Sequence, residues 1–278
     1  MNEKDSLLLE ELQQWEESIR NYEPTQFEET IDTWVEASFQ YIPEELRDKF
    51  YNQLDTWLFH LHGIIQQSAF QKDAEKRIVE TAKVFDKTIT TIHDIRYLTL
   101  EQKAFIAKQQ MAKHRLYALI QGGMTGTGKL STLTVDIPAF AALNIRTTQL
   151  IAMSHGYKPD TPYEMVKLLQ IFYAATLPKK YQFERWEQLK KEAGEEHDPY
   201  FYPLTEREHP SVWLTQPLTH LLKLIFIITV NSNRKGKTPI FGILTGAATN
   251  YHWTRKVSSF TNHYFYMKHF KDDEKDNW

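Results

Sequence analysis

The segment "TVDIPAFAALNIRTTQLIAMSHGYKP" constrains the fold more than any other part of the chain. Asp136 and Pro138 read as a helix start, and Gly156 and Pro159 read as a stop. The roughly 17 residues between them predict a helix of about 25 Å. Its strongly polar members are Asn144, Arg146 and Gln149. A helix apolar on nearly every side must be enclosed by protein or lie in lipid. The rest of the chain therefore has to supply a shell around it.

The flanking sequence reads as more helix. Leu7, Leu8, Leu12, Trp15 and Ile19 recur at helical spacing, as do Phe27, Ile31, Trp34, Val35 and Ser38. Pro43 opens a third segment carrying Leu46, Phe50, Leu54, Trp57, Leu58 and Leu61. Lys76 to Ile95 predicts a fourth. Thr99 and Gln102 form a capping box for a long helix through Ile120, which the glycines then break. "TPYE" (Thr161 to Glu164) is a second capping box, opening a helix to about Thr176. Tyr181 to Glu195 is charged and amphipathic.

His197 to Pro217 is rich in proline and aromatic residues and reads as an ordered loop. Two apolar helices follow, Pro217 to about Ser232 and Pro239 onward, and the tail "KDDEKDNW" is expected to fray. The β-branched run "IFIITV" leaves a buried strand as an alternative at that place. No strand alternation or βαβ rhythm occurs. The fold class expected is all-α, a single multi-helix domain over 1–278 with an acidic helical arm over 1–40.

Charge and composition narrow the partners. Residues 1–36 carry 11 acids and 2 bases, net −9, which leaves +6 for the remainder of a chain of net −3. The acidic segment reads as a solvated helix, a cover over the protein's own basic surface or a docking tail. No cysteine occurs, so disulfides, thiolate metal sites and cysteine nucleophiles are excluded. The first residues, "MNEKDSLLLEELQQWEE", have no long apolar core and do not resemble a secretory signal. The longest apolar run, Leu218 to Val230, includes His220 and Lys223. It is shorter than the roughly 20 residues a membrane span needs. A sequence pI near 6.4 and the lack of a recognition motif argue against nucleic acid.

"QGGMTGTGKLS" has the spacing of a phosphate-binding loop: Gly123, Gly128, then Lys129. Leu130 stands where a hydroxyl should hold magnesium, and the preceding "QMAKHRLYALIQ" is helical rather than a buried strand. Nucleotide hydrolysis is thereby disfavoured. Gly122 and Gly126 are instead four apart, as are Gly242 and Gly246, with Asn250 four further on. Small residues at this spacing let two helices approach closely. The expectation is that these segments meet, with Gly126 and Gly246 within about 15 Å.

Two longer stretches carry a family resemblance. "GGMTGTGKLSTLTVDIPAFAALNIRTTQLIAMSHGY" resembles the signature of the EcsC family: a glycine-rich turn, Asp-x-Pro, an apolar helix with an arginine, then a Gly-Tyr close. "TPIFGILTGAATNYHWTR" resembles its second signature, Pro-x-x-Gly-x-x-x-Gly-x-x-x-Asn. The resemblance covers a core over about 75–270, and Lys129 departs from it where a small residue is expected. It implies a bacterial accessory protein, working beside the ATPase and membrane subunits of an ABC transporter. The expected place is cytoplasmic or peripheral on the inner face of the cell membrane. It implies no reaction, cofactor or metal.

The candidate site residues each have a plainer reading. Asp136 is a helix-start residue or a buried carboxylate acting as base or ligand. Arg146 needs a partner in an apolar helix, whether a structural counter-charge or a bound anion. His155, just before Gly156, suits a helix C-terminus in its positive form, or else is a general base. Asn250 bonds across helices or joins a site with His252 and Arg255. Arg234, Lys235, Lys237, Arg255 and Lys256 are candidates for contact with an anionic membrane surface. Gly122, Gly123, Gly126, Gly128, Gly242 and Gly246 form the structural glycine set. The leading expectation is a non-enzymatic, membrane-proximal accessory protein. The alternative is a hydrolase for a lipid or peptide substrate using Asp136, Arg146, His155 and Asn250.

Overall fold

The computed structural model describes residues 3–26, 44, 69–125, 130–193 and 239–276. Every regular element among them is helical, as the sequence leads one to expect. They are α1 (Glu3–Arg20), α2 (Ala69–Ala82), a 3-10 turn (His93–Tyr97), α3 (Leu100–Thr125), α4 (Leu130–Ser154), α5 (Pro162–Thr176), α6 (Lys179–Glu192) and α7 (Pro239–Asp276). The second and third expected segments, the loop after Glu195 and the apolar run Leu218 to Val230 lie outside the described residues. So do Gly126, Gly128, Arg234, Lys235 and Lys237.

α4 is the axis, as its composition requires. Ile145, Ile151 and Ala152 enter a core shared with α1, α3, α5, α6 and α7. Leu150 and Met153 enter a second core built by α2, the segment after it and Ile106 of α3. The polar side chains of α4 are tolerated because they bond to its own backbone. Asn144 Nδ2 donates to Phe140 O at 2.8 Å, Thr147 Oγ1 to Leu143 O at 2.7 Å, and Ser154 Oγ to Leu150 O at 2.8 Å.

The stop at Gly156 has a full structural account. Gly156 takes φ +86°. Its N–H donates to Met153 O at 3.0 Å, and Tyr157 N–H donates to Ala152 O at 3.0 Å, the two bonds of a Schellman cap. A Cβ on Gly156 would lie 2.5 Å from Arg96 Cγ and 2.7 Å from Arg96 N. Both the left-handed backbone and the close pass of the 3-10 turn therefore require glycine.

Several boundaries differ from expectation. α4 begins at Leu130, so Asp136 and Pro138 are inside it and Asp136 is not a helix-start residue. "LSTLTV" continues the helical path, and Pro138 removes only one backbone donor from it. α3 runs on through Gly122 and Gly123 to Thr125, since one glycine costs a helix only about 1 kcal/mol. α2 ends at Ala82 rather than near Ile95. Aspartates after it offer the backbone other partners: Thr88 N–H donates to Asp86 Oδ1, while Thr90 and Thr91 N–H both donate to Asp94 Oδ2, each at 2.8 Å. The C-terminal segment does not fray but stays helical to Asp276. Pairs at helical spacing hold it, Lys268 with Asp272 at 3.4 Å and His269 with Asp273 at 3.6 Å.

One capping box forms in full and the other in half. Gln102 N–H donates to Thr99 Oγ1 and Thr99 N–H to Gln102 Oε1. Glu164 N–H donates to Thr161 Oγ1. The acidic first helix is docked against the bundle. Leu12 and Ile19 are buried, and Trp15 meets the Trp186 ring at 4.7 Å and the Phe260 ring at 5.3 Å, both edge-on. Leu7 faces solvent, because it sits about 100° off the Leu8–Leu12–Trp15–Ile19 stripe. Glu16 accepts from Trp186 Nε1 at 2.8 Å and from Lys190 Nζ at 3.2 Å, which ties α1 to α6.

Candidate functional site

Among the described elements the α3–α7 pair is the most extensively packed, and α4 lies against both. Polar side chains bridge them. Arg115 Nε donates to Ser258 Oγ at 3.0 Å, and Thr148 and Thr261 hydroxyls meet at 3.5 Å. Thr147 Oγ1 meets His114 Nδ1 at 3.0 Å. Burial, then Arg146, Lys113 and Arg77, push His114 down to about 4, so its ring is neutral.

His155 is buried at the C-terminus of α4. Its Nε2 meets Asn262 Oδ1 at 3.2 Å, so Nε2 carries the hydrogen and Nδ1 is left without a partner. Burial pushes it down to about 3. Desolvation thus outweighs the pull of the helix dipole, and His155 is neutral rather than a charged cap. Its ring stacks on Phe265 at 5.4 Å.

The sequence-derived set does not converge. Arg146 is half-buried on α4 near Arg77 and His114. Asn250 lies at the other end of α7 from the His155 neighbourhood. Neither of the two clefts described below is lined by Arg146, His155 or Asn250. Asp136 belongs to α4, but its side chain is outside the described residues. Gly242 and Gly246 lie in the first turns of α7, and Gly122 is buried in α3. Among the described residues, no group of three or more His, Asp or Glu side chains could hold a metal ion. No helix among them is long and apolar enough to cross a membrane.

The first cleft, of about 490 Å³, surrounds Tyr157. Tyr157 donates its hydroxyl to Asp272 Oδ2 at 2.7 Å. Its ring lies under Arg96 at 4.6 Å and Lys268 at 5.2 Å. Burial, then Asp272, raises the phenol far above its ordinary range, so it stays a hydrogen-bond donor. Arg96 Nε also donates to Gly156 O at 2.9 Å, and its guanidinium reaches Glu164 at 3.9 Å. Burial, then Asp160, raises the Glu164 carboxyl. Lys158 pairs with Glu75 at 3.4 Å, and Lys167 pairs with Glu192. The charges of this cleft largely answer one another.

The second cleft, of about 560 Å³, lies between α1, the start of α6 and the first half of α7. Lys179, Lys180, His252, Arg255 and Lys256 line it, and none of its described lining residues is a carboxylate. Lys256 Nζ donates to Leu177 O at 2.6 Å and lies over the Trp253 ring at 4.9 Å. Burial, then Lys179, pushes Lys256 down to about 8. Lys179 lies over the Tyr22 ring at 4.5 Å. Of the residues assigned to anion contact from sequence, Arg255 and Lys256 fall here. Lys179 and Lys180 were missed. The acid-free run from His209 to Lys271, with eight Lys or Arg residues, marks the α7 side of the cleft alone, and Lys179 and Lys180 carry no signal beyond being an adjacent pair.

The far end of α3 carries a third feature. Leu116, Tyr117, Leu119, Ile120 and Met124 are all exposed, opposite the buried face of Met111, His114 and Ala118. Lys113 lies on the same exposed face, and no acid occurs between Glu101 and Asp136.

An all-helical protein with an acid-free cationic cleft and an exposed apolar helix end is the class these observations define. The chain belongs to the EcsC protein family, which matches residues 6–270. It is also similar to a Bacillus subtilis (strain 168) protein named "Uncharacterized protein YdbA", at 29% identity over 183 residues. That alignment spans 62% of this chain and 63% of the relative, so it covers less than two thirds of the relative's length. No solved structure matches the chain.

Proposed function

We propose that this protein is a non-enzymatic accessory domain that docks on the anionic inner face of the cell membrane. There it works with the ATPase and membrane subunits of an ABC transporter. The observation that carries the docking is the exposed row Leu116, Tyr117, Leu119, Ile120 and Met124. Five large apolar side chains on about two and a half turns of exposed helix are unusual for a water-facing surface. They would enter the boundary between headgroups and acyl chains, as interfacial helices do. Lys113 on the same face supplies charge complementary to anionic lipid. The transporter partnership rests on what EcsC membership implies.

The test is flotation with liposomes of phosphatidylglycerol and phosphatidylcholine. The protein should float at low salt, less so at high salt, and poorly with phosphatidylcholine alone. The double variant Leu116→Glu, Ile120→Glu changes exposed positions and should fold normally but stay at the bottom of the gradient. Equal flotation of the variant would remove this face from the reading. A hydrolase reading would need Asp136, Arg146, His155 and Asn250 about one pocket, and it gains no support from where the last three lie.

A further inference from the structure

The second cleft gathers cations, and none of its described lining residues is a carboxylate. No ion pair joins Lys179, Arg255 or Lys256 to a carboxylate among the described residues, whereas Lys158, Lys167, Lys190 and Lys268 elsewhere each have one. Clustering like charges without counter-ions is unfavourable, the more so where the site is partly desolvated. Lys256 lies in such a place: burial, then Lys179, draws its proton affinity down. Its ammonium has three N–H donors and spends one on Leu177 O, which leaves two for a ligand.

The neighbouring groups suit one kind of ligand. Arg255 is exposed and presents the planar fork that matches phosphate oxygens. α6 begins in the cleft at Pro178–Lys179 with no side chain capping its first amides, so its positive end adds to the field. Trp15, Trp253 and Phe260 form an apolar wall beside the cations. The volume, about 560 Å³, lies in the range of small-molecule sites. A carboxylate carries one charge, whereas a phosphate monoester carries about −1.5 to −2 and three acceptor oxygens.

We propose that this cleft is a binding site for a phosphate dianion, held by Lys179, Arg255 and Lys256, with the aromatic wall taking any apolar group attached to it. The site is independent of the apolar end of α3 and of membrane docking. Two sources share this chemistry, a phosphomonoester lipid headgroup and free phosphate.

Calorimetric titration of the full chain separates them. The probes are inorganic phosphate, dihexanoyl phosphatidic acid below its micelle concentration, and dihexanoyl phosphatidylcholine as the zwitterionic control. Binding of phosphatidic acid at least tenfold tighter than inorganic phosphate supports the site and assigns it to a lipid headgroup. Comparable binding of the two supports it as a free-phosphate site. In either case Arg255→Gln and Lys256→Gln should each weaken binding about tenfold, and quenching of tryptophan emission should accompany binding. Arg255 is exposed, so its variant tests the site without endangering the fold. The proposal is overturned if neither phosphate probe binds at about 1 mM, if phosphatidylcholine binds as tightly as phosphatidic acid, or if both variants bind like the parent. Flotation of the full chain with intact phosphate binding in the Leu116→Glu, Ile120→Glu variant would show the two sites to be separate.

Discussion

The two clefts are similar in size and opposite in electrostatic character. Around Tyr157, cations and carboxylates come in partnered sets: Arg96 with Glu164, Lys167 with Glu192, Lys268 with Asp272. Around Lys256 the cations meet a backbone carbonyl, aromatic faces and one another. The first arrangement stabilises the fold, because removing either partner leaves a half-desolvated charge behind. The second weakens the empty fold slightly and is favourable only when an anion arrives. Burial and exposure alone do not distinguish the two. The presence of counter-charge does.

The difference can be broken most severely at Gly156. Gly156→Ala forces a Cβ into the Arg96 backbone at a positive φ. A loss of about 2–4 kcal/mol is expected, measured by denaturant unfolding, with phosphate binding in the second cleft retained by the folded fraction. Next comes Lys167→Gln, which takes a buried ammonium away from Glu192. It should cost about 2–3 kcal/mol. Tyr157→Phe removes a hydrogen bond to a carboxylate and should cost about 1.5–3 kcal/mol.

Lys256→Gln is the matched change in the other cleft. It should cost about 1 kcal/mol, the worth of the hydrogen bond to Leu177 O, and so less than Lys167→Gln. A loss comparable to that of Lys167→Gln would erase the distinction between the clefts. The pH dependence sharpens it further. Lys256 lies below its ordinary range because of burial and Lys179, with His252 and Arg255 lining the same cleft. Phosphate affinity should therefore fall as pH rises through about 8, as the ammonium loses its proton, and the Lys256→Gln variant should lack that step.

The smallest effect concerns the 3-10 turn that brings Arg96 to the first cleft. Amides and the hydroxyl of Thr90, with the Thr91 amide, hold Asp94 down to about 2. A depressed carboxyl contributes stability above its unfolded pKa and loses it as pH falls through the folded one. Acid unfolding of Asp94→Asn should thus differ from the parent above about pH 4 and converge with it near pH 2.

Much of the scaffold was legible in the sequence. The capping boxes at Thr99 and Thr161 and the stop at Gly156 each rest on side chains within three or four residues of the backbone groups they satisfy. Local chemistry of that kind is written in local sequence. Boundaries without a strong cap were read less well. The glycines at 122 and 123 and the proline at 138 lower helix propensity without ending the helix, because packing of α3 and α4 outweighs about 1 kcal/mol per glycine.

The site was the least legible part. Asp136, Arg146, His155 and Asn250 stood out as polar residues in apolar surroundings, yet that same pattern describes core groups that bond to other parts of the core. His155 with Asn262, 107 positions apart, is such a case. The sequence by itself determined the family, the helical class and the need to enclose Phe140–Ser154, because composition and short-range spacing fix those. Only the tertiary structure decided which cations are answered. The Lys179–Lys256 cleft joins α6 to α7 across more than seventy residues, and Asp272 reaches Tyr157 across 115. Coulomb interactions depend on distance in space and on the water displaced between charges. Neither quantity has a signature in the order of residues along a chain.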